Sequence, residues 1–364
     1  MKETLLGEFA AAGYERAEPA ILHPAKVFLD LSGEDIRGRL YLTSDASGAE
    51  FCLRPEYTIP VCLAYLASPE AGKPAAFAYH GPAFRFRPGA SGEFTQAGLE
   101  SFGRDDREAA DAEILCLALQ AAEAVGRTDL DVRIGDAALF SRVLDLLDLP
   151  PAWARRIRRG HAQGWSLDRI FAEPAAGKAG DHSGVLAALE GVDKAGAKAL
   201  VEDLLSIAGI SSVGGRSVGE IADRFLEQSS ARAGAELAAE KRAVLENFFE
   251  IAGDPDSASA SLRAMAEDHN LDMGAALDAF DARLGFIAAR GVDVGRLAFS
   301  AGFARNLDYY TGFVFEAHIP GGGGKPAIGG GRYDRLMASL EPGRDIPAVG
   351  AAIWVDRLMQ GGAA

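Results

Sequence analysis

The segment from Ser300 to Glu316 constrains this chain more than any other stretch of its sequence. It opens with a glycine turn, presents Arg305 and two adjacent tyrosines, and then enters an alternating run over 313–316 that predicts a strand. Successive strand residues point to opposite faces of a sheet. The charged and phenolic groups are therefore expected at the end of a sheet, where the predicted strand begins. A small polar ligand can be held at such a position.

Length and composition favour a globular protein with two or three domains. The chain has 364 residues, of which 48% are hydrophobic, with charges spread throughout. Its first eight residues carry acids where a signal peptide would be apolar. No apolar run approaches the ~18 residues that a membrane span needs. We therefore expect a cytoplasmic protein that does not enter a membrane.

The residue counts favour neither a metal site, nor disulfide bonds, nor binding to nucleic acid. The three cysteines form no CxxC pair, and the six histidines show no paired metal spacing. The net charge of −15 repels phosphate backbones, so tRNA binding is not expected. The one dense basic cluster, Arg155–Arg159, is interpreted as a solvated helix face. An RNA contact or a protein contact remains the alternative for that cluster.

The order of predicted elements indicates an α+β fold, an antiparallel sheet flanked by helices and interrupted by a helical insertion. Residues 1–150 alternate short strands and helices, residues 151–291 are mainly helical, and residues 292–364 return to strands. Residues 84–87 alternate apolar and basic groups, which predicts a half-buried strand, and residues 94–102 predict its returning partner. Helices are also predicted over 194–207 and 219–225 within the insertion.

Two glycine-rich runs have different interpretations. Residues 320–326 fail the GxxxxGK[ST] pattern, because Pro326 follows the lysine, and they are interpreted as a flexible hairpin loop. In residues 328–334 the glycines allow the backbone to approach a ligand closely. Arg332 and Tyr333 lie directly beside that backbone.

Polar side chains recur at the predicted strand ends. Glu56 and Thr58 follow one strand, and a carboxylate there would hold an ammonium group. Gln96 and Glu100 share one face of another strand with Gly98. Together with Arg305 and the tyrosines, they form a coherent pocket for a zwitterion with a polar side chain. No Ser-His-Asp or Cys-His arrangement is apparent, and no carboxylate pair can be assigned to acid–base chemistry from spacing alone.

These motifs resemble those of the histidyl-tRNA synthetases, in order and spacing, over nearly the whole chain outside the insertion. Residues 54–58 resemble the RPEGT element, residues 84–86 with 94–103 resemble class II motif 2, and residues 305–316 resemble the histidine-specific motif. Residues 330–334 resemble the GGRYD element, and residues 349–358 resemble motif 3. The resemblance implies a class II aminoacyl-tRNA synthetase-like core.

Three departures from a synthetase imply a different function. The chain stops at Ala364, so we expect no anticodon-binding domain. Tyr57 replaces the glycine of the RPEGT element. The motif 2 loop over 88–93 is short and not basic. The chain in this respect resembles the regulatory subunits of ATP phosphoribosyltransferase. That resemblance implies a non-catalytic homodimer within a hetero-octamer, needed for the activity of the short-form catalytic subunit and for feedback inhibition by histidine. The alternative is a truncated synthetase-like enzyme that activates an amino acid with ATP.

The resemblance also implies site residues. The ligand's ammonium and imidazole would be held by Glu56, Thr58, Gln96 and Glu100. The pocket would be closed by Arg305, Leu307 and Tyr310, with Tyr309 and Tyr333 as further candidates. Arg85 and Arg357 match the ATP-contacting positions and are interpreted as a vestigial nucleotide site. No cofactor and no metal are implied.

Overall fold

A computed structural model describes residues 1–31, 34–172, 199, 203, 212–213, 216–217, 237–305 and 309–359. The chain forms two compact units. The first comprises Met1–Leu146, His161–Gly164 and Val244–Ala364, and the second comprises Leu147–Gly160 and Trp165–Ala243.

The strands in the described part of the chain are β1 (Glu15–Arg16), β2 (Leu22–Pro24), β3 (Leu42–Ser44), β4 (Glu50–Leu53), β5 (Ala75–Phe84), β6 (Glu93–Phe102), β7 (Asp131–Asp136), β8 (Ser212–Val213), β9 (Arg216–Ser217), β10 (Ala252–Gly253), β11 (Leu297–Ser300), β12 (Phe313–His318), β13 (Ile328–Arg332) and β14 (Ala348–Trp354). The helices are α1 (Lys2–Ala11), α2 (Ala25–Leu31), α3 (Glu34–Arg37), α4 (Thr58–Leu66), α5 (Arg107–Ala124), α6 (Ala137–Leu146), α7 (Pro151–Ala162), α8 (Leu167–Phe171), α9 (Ala239–Glu250), α10 (Pro255–Asp268), α11 (Gly274–Ala289), α12 (Asp334–Leu340) and α13 (Val355–Leu358).

The first unit is built on a nine-stranded sheet in the order β1-β5-β6-β14-β13-β12-β7-β11-β10. Every neighbouring pair is antiparallel except β1 with β5 and β7 with β11, which are parallel. A smaller antiparallel sheet has the order β2-β4-β3. The predicted α+β class, an antiparallel sheet flanked by helices, is confirmed.

Helix α5 is the central helix packed on this sheet. It contacts β6, β13 and β14 on one side and α1 and α11 on the other. Its sequence is rich in alanine and leucine around the whole helix, and the residues from Ala110 to Ala118 are almost all buried. A helix that is apolar all round is expected between layers rather than at a surface. Small alanine side chains also allow the neighbouring helices to approach closely.

The compact units differ from the predicted domains at the C-terminal limit of the insertion. Residues 244–291, which the sequence assigned to the insertion, group with the first unit. Within that range α10 packs on α11, and α11 packs on α5. The helices predicted over 194–207 and 219–225 lie outside the described residues, apart from the single helical positions 199 and 203. The division into a core and an insertion therefore stays a prediction.

One predicted strand is wrong in its extent. The alternation over 84–87 predicted a strand, but β5 ends at Phe84, which pairs with Glu93 of β6. Beyond that point the backbone N–H of Arg85 still donates to the carbonyl of Gly92 at 2.8 Å, and the N–H of Phe86 donates to the carbonyl of Arg39 at 2.8 Å. The hydrogen bonding with β6 therefore extends one residue past β5, and Phe86 bonds to another segment.

Within the described ranges, none of the helices combines the length and the apolar character that crossing a membrane requires. In that same part of the chain, no three His, Cys, Asp or Glu side chains are grouped so that they could hold a metal ion.

Candidate functional site

A cavity of about 550 Å³ lies over strands β6, β12, β13 and β14 of the first unit. Nine of the residues singled out from the sequence line it: Glu56, Thr58, Arg85, Gln96, Arg305, Tyr309, Tyr310, Tyr333 and Arg357. Glu100 lies behind Tyr333 and does not line the cavity. Leu307 lies outside the described residues. The fold thus brings together side chains that are far apart in the sequence.

Two strand glycines make room for the charged groups of this cavity. A Cβ placed on Gly329 of β13 would lie 2.6 Å from Cζ of Arg305. A Cβ on Gly350 of β14 would collide with the carboxyl group of Glu100. Any side chain at either position would displace a charged group, so the glycines are required for the packing of the site.

Glu56 is fixed at the first turn of helix α4. Its Oε2 accepts a hydrogen bond from the backbone N–H of Thr58 at 2.6 Å, and its Oε1 accepts one from that of Ile59 at 2.9 Å. These bonds satisfy backbone donors that have no partner within the helix. Burial raises the pKa of Glu56, while the backbone donors and the charge of Arg85 oppose that rise. The result is a rigid acceptor at the cavity wall.

Tyr57, which stands where the synthetase element has glycine, does not fill the cavity. Its ring stacks on Tyr79 with the centroids 4.5 Å apart and the planes 1° from parallel. Its hydroxyl accepts a hydrogen bond from Arg54. The hydroxyl lies against Gly81, and a Cβ at that glycine would collide with it. Its backbone N–H donates to Oε1 of Gln96 at 3.0 Å. The large side chain therefore packs against Tyr79 and does not line the cavity.

Glu100 is a fully buried carboxyl group below the cavity. The Tyr333 hydroxyl donates to its Oε2, while no donor among the described residues reaches its Oε1 by the usual hydrogen-bond geometry. Burial raises the pKa of Glu100 to about 8, and hydrogen bonding by Tyr333 limits the rise. Its carboxyl group therefore titrates near neutral pH, in contrast to an ordinary glutamate.

This titration predicts a pH-dependent stability. The folded state holds the Glu100 proton more tightly than the unfolded state, so its stabilising effect is full below pH 4.5 and is lost as the pH rises to about 8. We expect the thermal unfolding midpoint to fall between pH 5 and pH 8, and Glu100→Gln to reduce that fall. Glu70→Gln, at an exposed carboxylate, is the control and should leave the fall unchanged. The prediction would be contradicted if the unfolding midpoints of wild type and Glu100→Gln changed with pH by the same amount.

Arg305 is the buried cation of the cavity. Its Nε donates to Glu316 Oε1 at 3.1 Å, and its Nη1 donates to the Tyr310 hydroxyl at 2.6 Å. The second oxygen of Glu316 lies 3.1 Å from His318 Nε2. Because Arg305 is only 9% exposed, these partners hold its guanidinium in one orientation.

Other cations also line the cavity. Nη1 of Arg357 donates to the carbonyl of Pro326 at 2.8 Å, and its guanidinium lies 4.7 Å from the Trp354 ring centroid. Burial, together with the charges of Arg87 and Arg85, lowers the pKa of Arg357 to about 10. Carboxylates and phenols thus share the cavity with guanidinium groups, as expected for a ligand that carries both charges.

The GGRYD segment is held by a buried ionic cluster, which we define as Asp111, Asp136, Arg283, Arg332 and Asp334. Asp111 lies 2.9 Å from Nε of Arg283 and 2.6 Å from Nη2 of Arg332. Arg283 also pairs with Asp136 at 2.7 Å, and Arg332 pairs with Asp334 at 3.1 Å. The cluster joins α5, α11 and the ends of β7 and β13. It fixes the backbone that immediately precedes Tyr333.

Sequence reasoning missed several residues of the cavity. Glu316 carries a usable signal, because it alternates with buried residues of β12. Lys325 comes from the glycine-rich hairpin, which was interpreted only as a loop. Gln163 and Gly164, which follow α7, also line the cavity. No motif or periodicity in the sequence marks them.

Comparison with known proteins agrees with this geometry. The sequence profile of the histidyl-tRNA synthetase family matches residues 1–170 and 185–358. A structure from Bacillus halodurans, described as an ATP phosphoribosyltransferase regulatory subunit/histidyl-tRNA synthetase, is similar with a TM-score of 0.68 at 20% identity, covering 100% of this chain and 78% of that one. The Nostoc sp. histidyl-tRNA synthetase is similar with a TM-score of 0.63 at 19% identity, covering 98% and 69%. At these identities, the two structures show that the chain has the class II synthetase fold of that family.

Curated relatives define the family more narrowly. The ATP phosphoribosyltransferase regulatory subunit of Brucella anthropi is 38% identical over 351 residues, covering 94% of this chain and 92% of the relative. That of Mesorhizobium japonicum is 41% identical over 355 residues, covering 96% and 94%. The chain therefore belongs to the histidyl-tRNA synthetase family and, within it, to the ATP phosphoribosyltransferase regulatory subunits.

Proposed function

We propose that this chain is the non-catalytic regulatory subunit of ATP phosphoribosyltransferase in the first step of histidine biosynthesis. It is needed for the activity of a short-form catalytic subunit, and it makes that activity subject to feedback inhibition by histidine. The observation that carries the proposal is the cavity itself, in which the carboxylates of Glu56 and Glu316, several phenols and the buried guanidinium of Arg305 surround a space for a small zwitterion.

The polar groups of the cavity match the three polar parts of histidine. Glu56 supplies a fixed carboxylate for the ammonium group, with Gln96 and Thr58 beside it. Tyr310 and Tyr333 supply phenol groups for the imidazole, and Glu100 accepts a hydrogen bond from the Tyr333 hydroxyl behind the cavity wall. Arg305 supplies a positive charge for the carboxylate. Each charge-assisted hydrogen bond of this kind contributes on the order of 1.5–3 kcal/mol.

Feedback inhibition requires more than binding. Histidine must bind the inhibited state of the assembly more tightly than the active state, and the ratio of the two affinities sets how far it can shift the population. A tenfold ratio corresponds to about 1.4 kcal/mol of coupling free energy. A pocket specific for the end product of a pathway is suited to this use.

The assembly that we propose is a class II-type homodimer of this chain within a hetero-octamer that includes the catalytic subunits. Histidine is the effector, and the cytoplasm is the location. The net charge of −15 gives no support to a role in binding tRNA.

One observation favours a second candidate, a truncated enzyme that activates an amino acid with ATP. Arg85 and Arg357, at the ATP-contacting positions of the resemblance, line the same cavity as Arg305. ATP–pyrophosphate exchange that depends on histidine would support this enzyme and contradict a purely regulatory role. The regulatory proposal predicts no exchange above background.

The proposal is tested by reconstitution with a short-form catalytic subunit. Phosphoribosyl transfer to ATP is measured with and without this chain, over a titration of histidine. We expect the chain to raise the rate and histidine to reverse that increase. An unchanged rate, together with separate elution of the two proteins in size-exclusion chromatography, would overturn it.

A further inference from the structure

The segment His161–Gly164 belongs to the first unit and supplies part of the cavity wall. Helix α7 ends at Ala162, and Gly164 adopts a left-handed conformation with φ of +65°. The N–H of Gly164 donates to the carbonyl of His161 at 2.8 Å, and the N–H of Trp165 donates to that of Gly160 at 2.9 Å. These are the two hydrogen bonds of a Schellman motif. They make Gln163 the C-cap residue and fix where its backbone lies.

His161 anchors this segment to the loop that leads to Arg305. Its ring is 5% exposed and stacks on Phe140 with the centroids 3.8 Å apart, and it meets Phe249 edge-on at 5.6 Å. Phe249 in turn packs against Gly302 of the loop that leads to Arg305, where a Cβ would lie 3.1 Å from its Cδ1. Burial lowers the pKa of His161 to about 4, so the ring is neutral at physiological pH. The wall that carries Gln163 and the loop that carries Arg305 are therefore held together.

Gln163 is half-buried and lines the cavity. No hydrogen bond joins its amide to another residue in the described part of the chain. A primary amide offers two donors and one carbonyl acceptor without adding charge. At a cavity wall, such a group is available to a ligand.

The carboxylate of a zwitterion needs such a donor. A carboxylate has about four acceptor positions. Arg305 uses Nε for Glu316 and one hydrogen of Nη1 for Tyr310, so it can satisfy only some of them. Glu56 is matched to the ammonium group and would repel the ligand's carboxylate. Gln163 adds an uncharged donor on the wall that packs against the Arg305 loop.

We propose that Gln163 is a specificity-determining residue of the effector pocket, which donates from its side-chain amide to the α-carboxylate of the bound amino acid beside Arg305. This inference rests on the proposed binding of histidine in the cavity. It makes the pocket selective for the free amino acid over analogues in which the carboxylate is replaced.

The test uses isothermal titration calorimetry of the full chain with L-histidine and with L-histidinol, which has a hydroxymethyl group in place of the carboxylate. We expect wild type to prefer L-histidine. Gln163→Ala should reduce that preference about tenfold, by weakening L-histidine binding while sparing L-histidinol. Gln163→Glu has nearly the same shape but places a negative charge there, and it should reduce the preference further.

Gln120→Ala, at an exposed glutamine of α5, is the matched control and should leave both affinities unchanged. If wild type binds L-histidine and both Gln163 variants keep the wild-type preference, this inference is overturned while the proposed effector stands. If wild type binds neither ligand, the proposed effector site fails and the inference fails with it.

Discussion

Replacing Arg305 with alanine is expected to weaken the binding of L-histidine at least tenfold. The guanidinium is buried and held by Glu316 and Tyr310, so its removal takes away a charged partner of the ligand's carboxylate. One charge-assisted hydrogen bond contributes on the order of 1.5–3 kcal/mol, which corresponds to about tenfold or more in affinity. Calorimetric titration of the purified variant with L-histidine measures the effect.

Two further variants define the cause of that loss. Arg305→Lys keeps the positive charge but not the planar arrangement of donors, so we expect an intermediate affinity. Arg344→Ala removes an arginine that is about half exposed and pairs with Glu341 on the surface, and it should bind L-histidine as wild type does. If folded Arg305→Ala retains the wild-type affinity, the effector binds elsewhere than in this cavity.

The second large effect is expected at the centre of the buried ionic cluster. Asp111 is 0% exposed and pairs with both Arg283 and Arg332. Asp111→Ala would leave these two buried guanidinium groups without their shared carboxylate. Removing one partner of a buried ion pair typically costs about 3–5 kcal/mol. We expect the free energy of unfolding in urea to fall by that amount, or the variant to fail to fold.

The control for Asp111 is an ion pair at the surface. Lys26 and Asp30 are 2.6 Å apart, with both side chains largely exposed. Asp30→Ala should change the free energy of unfolding by at most about 1 kcal/mol, because solvent screens exposed pairs. Equal effects of the two substitutions would show that the buried cluster contributes no more than a surface pair.

Nine of the side chains that line the cavity were named from the sequence, most of them through the family motifs, and spacing along a strand decides which face such residues occupy. Gln96 and Glu100 are separated by an even number of positions, and both lie buried on β6. Spacing does not determine depth, however. Glu100 lies behind Tyr333 because β13 and β14 place Tyr333 and Gly350 against it.

Tyr57 shows why a substitution could not be interpreted from a motif alone. A large residue at the glycine position of the RPEGT element counted as a departure from a synthetase. In the fold its ring stacks on Tyr79 and its hydroxyl lies at Gly81, so the space it needs is supplied by a residue in another strand. Gln163 is a similar case, since only the tertiary anchoring of His161 brings it to the cavity. Neither relation leaves a local pattern in the sequence.

The most direct test of the account compares two quantities in wild type and in Arg305→Ala. One is the dissociation constant of L-histidine for this chain, and the other is the histidine concentration that half-inhibits phosphoribosyl transfer by the reconstituted complex. If the cavity is the effector site, the substitution should raise both by the same factor, at least tenfold. A half-inhibiting concentration that stays at its wild-type value while binding to the cavity is lost would contradict the account.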